Sequence, residues 1–244
     1  VLIKACLNGS RQPAEHPALP VTPDQLAADA LACRRAGAGA VHVHPRDADG
    51  RETLQPEPCG QAITAIRTAC PGLPVGLTTG LWIAAGNTGQ RLKSIDAWTV
   101  LPDFCSVNFS EAGTEELCEL LIDKGIDVEA GLTSMNDTLA FVGSQYANRC
   151  LRVLIEIQPG RGEPLGRAAM IHRMLDEAQL PLPRLQHGMH REAWPLLEDS
   201  LARGCDVRTG LEDTVTLPDG AAASSNAALV AVAVRLSSMR SAVG

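Results

Sequence analysis

Short apolar runs rich in Val, Ile and Leu alternate with longer segments in which apolar and polar positions recur at helical spacing, from one end of the chain to the other. Residues 1–7 read as a strand. A helix follows to about residue 36, with Thr22 at the cap, Pro23 at the first helical position and Asp24 in the first turn. Gly37 and Gly39 end it, and residues 40–44 form the second strand. The same pairing predicts strands at 73–78, 104–109, 127–131, 151–157, 184–187 and 205–209. Helices are predicted at 56–70, 88–97, 114–124, 136–147, 165–178, 191–203 and 222–236. The strands are short, apolar and β-branched, the kind that is buried on both faces.

Eight strand–helix units most simply close into a single (β/α)8 TIM barrel of the α/β class. No Gly-, Ser- or Pro-rich linker divides them, so residues 1–244 read as one catalytic domain. An open doubly wound sheet is the competing topology. Its usual nucleotide signal is missing here, because the first strand–helix loop is long and proline-rich and has neither GxGxxG nor P-loop spacing. In a barrel the chemistry sits at the C-terminal ends of the strands.

Composition narrows the function by exclusion. The chain is 45% hydrophobic and 20% charged, as ordered globular proteins are. With 21 basic and 28 acidic side chains the net charge is −7, and no basic run offers a nucleic-acid face. Aromatic residues make up only 3%, too few for a base-stacking platform. The eight cysteines include no CxxC pair, which points to free thiols in a reducing, cytoplasmic compartment. The opening VLIKACLNGS and the late run at 227–236 are both too short to span a membrane. A soluble protein with no membrane or nucleic-acid partner is expected.

The sharpest chemical signal is His42-Val43-His44. Alternate residues of a strand share one face, with Cα atoms about 6–7 Å apart. Two imidazoles placed this way can converge on one metal ion, and zinc commonly takes such nitrogens together with a carboxylate. Hydrogen-bonded structural histidines are the competing reading. At the end of the eighth strand, Arg208 precedes the acid pair Glu212-Asp213. One acid of such a pair can bind metal while the other serves as a base kept ionised by the guanidinium, although a solvated loop suits the motif equally well. Barrel closure brings the eighth strand near the first two, so Glu212 can complete a His–His–Glu site.

Thr78, Thr79, Ser106 and Asn108 lie at the ends of strands three and four and suit either a substrate carboxylate or ordinary turns. Ser10 and Arg11 follow strand one, with Arg11 facing the pocket or solvent. Glu129 and Glu156 fall inside strands, where a buried carboxylate needs a partner. His187 is a pocket candidate and His190 a helix-start residue.

Two stretches, ACLNGSRQPAEHPALPVTPDQLAADALACRRAGAGAVHVHPRDADGRETL and VRTGLEDTVTLPDGAAASSNAALV, resemble the beta-keto acid cleavage enzymes. The resemblance implies a zinc-dependent barrel that joins a β-keto acid with acetyl-CoA, giving acetoacetate and a new acyl-CoA. It implies zinc ligation by His42, His44 and Glu212, and a base, Asp213, held by Arg208. It also implies that Thr78, Thr79, Ser106 and Asn108 surround the substrate carboxylate, with Ser10 and Arg11 nearer its other end. Family members that act on amino-substituted keto acids carry a Glu after the first strand. Here the segment is Asn8-Gly9-Ser10-Arg11, so the expected distal group is neutral, or anionic if Arg11 turns inward. Barrels of this kind are often homo-oligomers. The basic candidates for CoA are Arg11, Arg46, Arg149, Arg161 and Arg191, unranked by sequence.

Two other readings compete. A metal-dependent barrel hydrolase also uses HxH, but it usually gathers further His or Lys from its middle strands. A non-catalytic binding protein would keep the His pair as structure and hold no tight zinc.

Overall fold

A computed structural model describes residues 1–160 and 162–241. Strands and helices alternate as β1 (Ile3–Cys6), α1 (Pro23–Ala36), β2 (Ala40–Val43), α2 (Pro56–Ala69), β3 (Val75–Thr78), α3 (Thr88–Asp96), β4 (Phe104–Asn108) and α4 (Thr114–Asp123). The second half continues as β5 (Asp127–Leu132), α5 (Met135–Gly143), β6 (Arg152–Ile157), α6 (Pro164–Glu177), β7 (Arg184–Gly188), α7 (Ala193–Ala202), β8 (Asp206–Thr209) and α8 (Asn226–Ser241). Every strand runs parallel to the next, and β8 pairs with β1 through Val207 opposite Ile3 and Arg208 opposite Lys4. The ring is closed, and the fold is the (β/α)8 barrel that the strand–helix repeat predicts. No helix among the described residues is long and apolar enough to cross a membrane.

Parity along each strand divides the molecule into two interiors. Ile3, Ala5, Val41, Val43, Val75, Leu77, Val128, Ala130, Val153 and Ile155 belong to the hydrophobic core beneath the helices. The alternate positions point into the barrel and are largely polar, contrary to the expectation of strands apolar on both faces. Lys4 on β1 bonds Glu129 on β5, two strands on opposite sides of the ring, so the contact crosses the interior. Arg152 Nε lies 3.0 Å from the other Glu129 oxygen. Lys4 and Glu129 are both wholly buried.

Burial works against the Glu129 carboxylate, but Lys4 and Arg152 outweigh it and hold its pKa below the usual glutamate range. Its stabilising effect is therefore complete above that range and fades as pH falls through the lowered value. Glu129→Gln should cost about 3–5 kcal/mol in urea unfolding, because it strands the Lys4 ammonium in a dry interior. An unchanged unfolding midpoint would mean that water reaches the barrel floor.

Three helix ends depart from the periodicity by several residues: α8 runs on to Ser241 rather than ending near residue 236, and two others have a local cause. α5 stops at Gly143 rather than near residue 147, where Ser144 turns the chain and its Oγ accepts Tyr146 N at 3.1 Å. α8 begins at Asn226 rather than residue 222. The Asn226 side chain is committed to closing the ring. It accepts Leu211 N at 2.6 Å and donates to Leu7 O at 2.8 Å and Asp29 Oδ2 at 2.6 Å. The apolar run of α8 is absorbed by the core, where Leu229, Val230, Val232 and Ala233 are buried.

Candidate active site

His42 lies on the inner face of β2 and His44 follows directly after the strand, which ends at Val43 rather than residue 44. The end of this strand is fixed by Asn8, which donates to His44 O and accepts from His44 N, both at 2.9 Å. Across the barrel seam, the turn after β8 brings Glu212 to meet them. Two glycines permit that approach. A Cβ on Gly210 would lie 2.0 Å from Cys6 O, and one on Gly9, at φ +54°, would lie 2.4 Å from Glu212 Cγ.

Glu212 Oε2 is 3.8 Å from His44 Nε2 and 4.0 Å from His42 Nε2. That oxygen is buried without a hydrogen-bond partner. The three ligand atoms lie within 4.8 Å of one another, and no other such group of three or more His, Cys, Asp or Glu occurs among the described residues. Burial, reinforced by the neighbouring His44 and by Lys4 and Arg208, keeps His42 well below its usual pKa, so the ring is neutral and free to ligate. An orphaned carboxylate oxygen facing two imidazoles fits a divalent cation with open positions left for substrate.

A second layer orients this group. His44 Nδ1 lies 2.5 Å from Glu52 Oε1, and Glu52 Oε2 accepts Trp82 Nε1 at 3.2 Å. The Trp82 ring stacks on His44 with centroids 6.3 Å apart. Glu52 falls inside the first of the two stretches that carry the family resemblance, though nothing there singles it out, and Trp82 lies just beyond the end of strand three. Glu52→Gln should weaken metal affinity by about 10–100-fold in a chelator competition. Equal affinity would show that Glu52 does not orient His44.

Arg208 reaches both acids of the pair. Its Nη2 is 2.6 Å from Glu212 Oε1 and 2.5 Å from Asp213 Oδ1, and its Nε is 3.2 Å from Asp213 Oδ2. Burial pushes the Asp213 pKa up, but Arg208 and then His187 outweigh it and hold the carboxyl well below its usual range. Asp213 is thus an ionised, weakly basic carboxylate at neutral pH. His187 joins it to Glu156: Nδ1 is 3.4 Å from Asp213 Oδ1 and Nε2 is 3.2 Å from Glu156 Oε2. Glu156 is held at about 2, its burial outweighed by the hydrogen bond and charge of His187.

A cavity of about 510 Å³ opens above these groups at the C-terminal mouth. His42, His44, Arg208 and Glu212 form its floor, and Thr78, Ser106 and Asn108 form part of its wall. Ser10 and Arg11 also line it, but Arg11 is occupied: its Nε donates to Leu211 O, and its Nη1 lies 3.0 Å from Glu15 Oε2. Three of the expected site residues, Thr79, Asp213 and His187, are not in the lining. Thr79 turns away and donates its hydroxyl to Ser106 O at 2.6 Å, tying β3 to β4. Asp213, 1% exposed, sits behind Arg208. His190 begins the short turn before α7 and also reaches the cavity.

The basic candidates separate once placed. Arg46 is buried and spends its guanidinium on Gly9 O, Arg11 O and Gly50 O. Arg149 precedes β6 and so lies toward the opposite end of the barrel, whereas Arg191 follows β7 at the mouth. Arg161 lies outside the described residues. Seven of the eight cysteines are buried free thiols, and burial pushes Cys59, Cys118 and Cys150 up to about 12, so none of these three is a nucleophile at neutral pH.

Comparison with known proteins adds four findings. Residues 1–157 and 168–241 match the family model described as beta-keto acid cleavage enzyme. The chain is 26% identical to the 3-keto-5-aminohexanoate cleavage enzyme of Acetoanaerobium sticklandii, over 97% of this chain and 91% of that protein. It is 25% identical to the 3-oxoadipate:acetyl-CoA acetyltransferase of Cupriavidus necator, over 94% of this chain and 85% of that protein. Among solved structures, ObcA in a ternary complex with a C4-CoA adduct and oxalate superposes with a TM-score of 0.73 at 17% identity. That match covers 93% of this chain and 64% of the other, and it bears on the fold alone.

Proposed function

The chain belongs to the beta-keto acid cleavage enzyme family, and from that membership we propose that it joins a β-keto acid with acetyl-CoA, giving acetoacetate and a new acyl-CoA. The observation that carries the reading is the partnerless Glu212 Oε2 facing the His42 and His44 nitrogens beside an arginine-held aspartate. The named relatives support it, since one is an acetyl-CoA acetyltransferase and another a keto acid cleavage enzyme.

In this reading His42, His44 and Glu212 hold zinc, which when bound acts as a Lewis acid on the ketone oxygen and acidifies the adjacent C2–H. Such activation is needed here, because a carboxylate with a depressed pKa is a weak base. Thr78, Ser106 and Asn108 present hydroxyl and amide donors to the substrate carboxylate. The Arg208 fork keeps Asp213 ionised but also screens it from the cavity, so Arg208 must shift aside for Asp213 to take the C2 proton. The carbanion attacks the acetyl carbonyl and expels CoA thiolate. The thiolate then adds to the former ketone carbon, the C2–C3 bond breaks, and the acetoacetate carbanion takes up a proton. The balance is a keto acid and acetyl-CoA in, acetoacetate and acyl-CoA out, with no net proton.

For the distal group, the Arg11 charge is spent on Glu15 and the position after Gly9 is Ser10. A neutral substituent suits this end of the cavity best. The test is acetoacetate formation by zinc-loaded protein given acetyl-CoA and neutral, cationic and dicarboxylic β-keto acids. Product requiring both co-substrates, with neutral acids preferred, is the expected result. A preference for cationic acids would overturn the assignment of the distal pocket, and no product from any of them would overturn the reaction itself. A metal-dependent hydrolase gains nothing from the middle strands, since the candidate metal group among the described residues is confined to His42, His44 and Glu212.

A further inference from the structure

A thioester reaches the site on a long carrier, and the carrier has to leave the cavity somewhere. The candidate metal ligands come from β2 and the turn after β8, so the far side of the ring, at the ends of β5 and β6, is open to a second substrate. Thr133, just past β5, lines the catalytic cavity and also a second cavity of about 470 Å³, a groove between α5 and α6. Met135, Met170 and Ile171 give this groove apolar walls. Of the eight large hydrophobic side chains exposed among the described residues, four stand on these two helices: Met135, Leu139, Leu165 and Met170. Exposed apolar side chains gathered in one place, unlike single scattered ones, mark a binding surface.

Charge points the same way. Arg167 crosses the partition between the two cavities, with Nη1 donating to Gln158 O at 2.8 Å and Nη2 to Thr133 O at 3.4 Å. Both acceptors are neutral carbonyls, and among the described residues no carboxylate comes within ion-pair distance of Arg167, whereas Arg11 and Arg191 are paired with Glu15 and Glu192. The acid of the groove, Glu163, is turned to Leu165 N and Gly166 N at the start of α6. The groove thus joins apolar walls to a cation that no acid neutralises.

Resting on the reading of acetyl-CoA as co-substrate, we propose that the groove between α5 and α6 seats the pantetheine arm of the thioester, so that the acetyl group enters the catalytic cavity past Thr133. The match is chemical. The arm carries methylenes and a gem-dimethyl group, which suit the walls of Met135, Met170 and Ile171, and methionine adapts to a flexible ligand at low cost. It also carries amide oxygens, for which the Arg167 guanidinium has more N–H groups than its two backbone contacts use. The diphosphate beyond the arm is anionic, and an arginine without a carboxylate partner complements it. A second copy of the chain is the other occupant that an exposed apolar face admits. The opening into the catalytic cavity at Thr133 and the unneutralised Arg167 on the partition favour the carrier.

Carrier length reads this directly. Zinc-loaded protein is assayed with acetyl-CoA and with S-acetyl-N-acetylcysteamine, a thioester cut off at the first amide of the arm. Wild type should prefer acetyl-CoA in kcat/KM. Met170→Asp puts a carboxylate in the groove and Arg167→Ala removes its cation. Each should cut that preference about 10-fold, through the KM for acetyl-CoA, and calorimetric titration with acetyl-CoA should show the same loss of affinity. Should Arg167→Ala loosen the ends of β5 and β6 and lower the melting temperature, the exposed Met170 variant decides alone. A wild-type preference in Met170→Asp would overturn the groove and leave the reaction standing. So would sedimentation showing that Met170→Asp breaks an oligomer while its affinity for acetyl-CoA is unchanged, which would assign the face to a second copy. No acetoacetate from wild type with either thioester would fail the reading of the reaction, and the groove with it.

Discussion

Asp213→Asn is expected to leave zinc bound and to lower turnover by about 10²–10⁴-fold, the usual contribution of a positioned general base. The two halves of that expectation come from different atoms. Asp213 makes no contact with His42 or His44; its oxygens are taken by Arg208 and approached by His187. Asparagine is nearly isosteric and leaves the metal ligands intact, but it cannot accept a proton from carbon. Its amide also presents a donor to Arg208, which can only donate, so one contact of the fork is lost. Metal analysis beside steady-state kinetics checks both halves. Loss of zinc equal to the loss of turnover would show that the acid pair has been divided wrongly between ligand and base.

Glu212→Gln should fail in the opposite pattern, losing metal and activity together. The carboxylate oxygen that faces the imidazoles has no other partner, and a neutral amide oxygen is a poor substitute for an anionic ligand on a hard–borderline dication. Dialysis against a chelator followed by metal analysis should return a variant that no longer holds zinc stoichiometrically, and added zinc should restore activity only at high concentration. Retained stoichiometric metal in Glu212→Gln would move the third ligand elsewhere. Removing metal from wild type should abolish turnover in the same assay.

Most of the barrel was legible because its signal is repetitive: eight strand–helix pairs reinforce one another, so an error of a few residues at Gly143 or Asn226 leaves the topology unchanged. The His42–His44 pair was legible because a strand's period of two needs no knowledge of distant residues. Other features needed three dimensions. Thr78 and Thr79 are adjacent, so only one of them can face the cavity, and parity at a strand's last residue cannot be read without register. Glu212 and Asp213 pose the same problem in a turn, where one reaches the cavity and the other lies behind Arg208. Glu52 and Trp82 come from separate loops and meet only around His44. Lys4, Glu129 and Arg152 look like single charges in apolar runs until the closed ring puts them in one buried cluster.

The origin of the metal ligands in β2 and in the turn after β8 has a bearing on how the protein is made. On the ribosome, His42 and His44 emerge well before their carboxylate partner, Glu212. The last strand must zip onto the first, and Asn226 must pin the seam, before a third donor exists. A nascent or truncated chain therefore offers an ion only two imidazoles on an open sheet, a weak hold. Because an ion favours whichever state binds it, it stabilises closed rings alone and rewards closure of the seam rather than any intermediate.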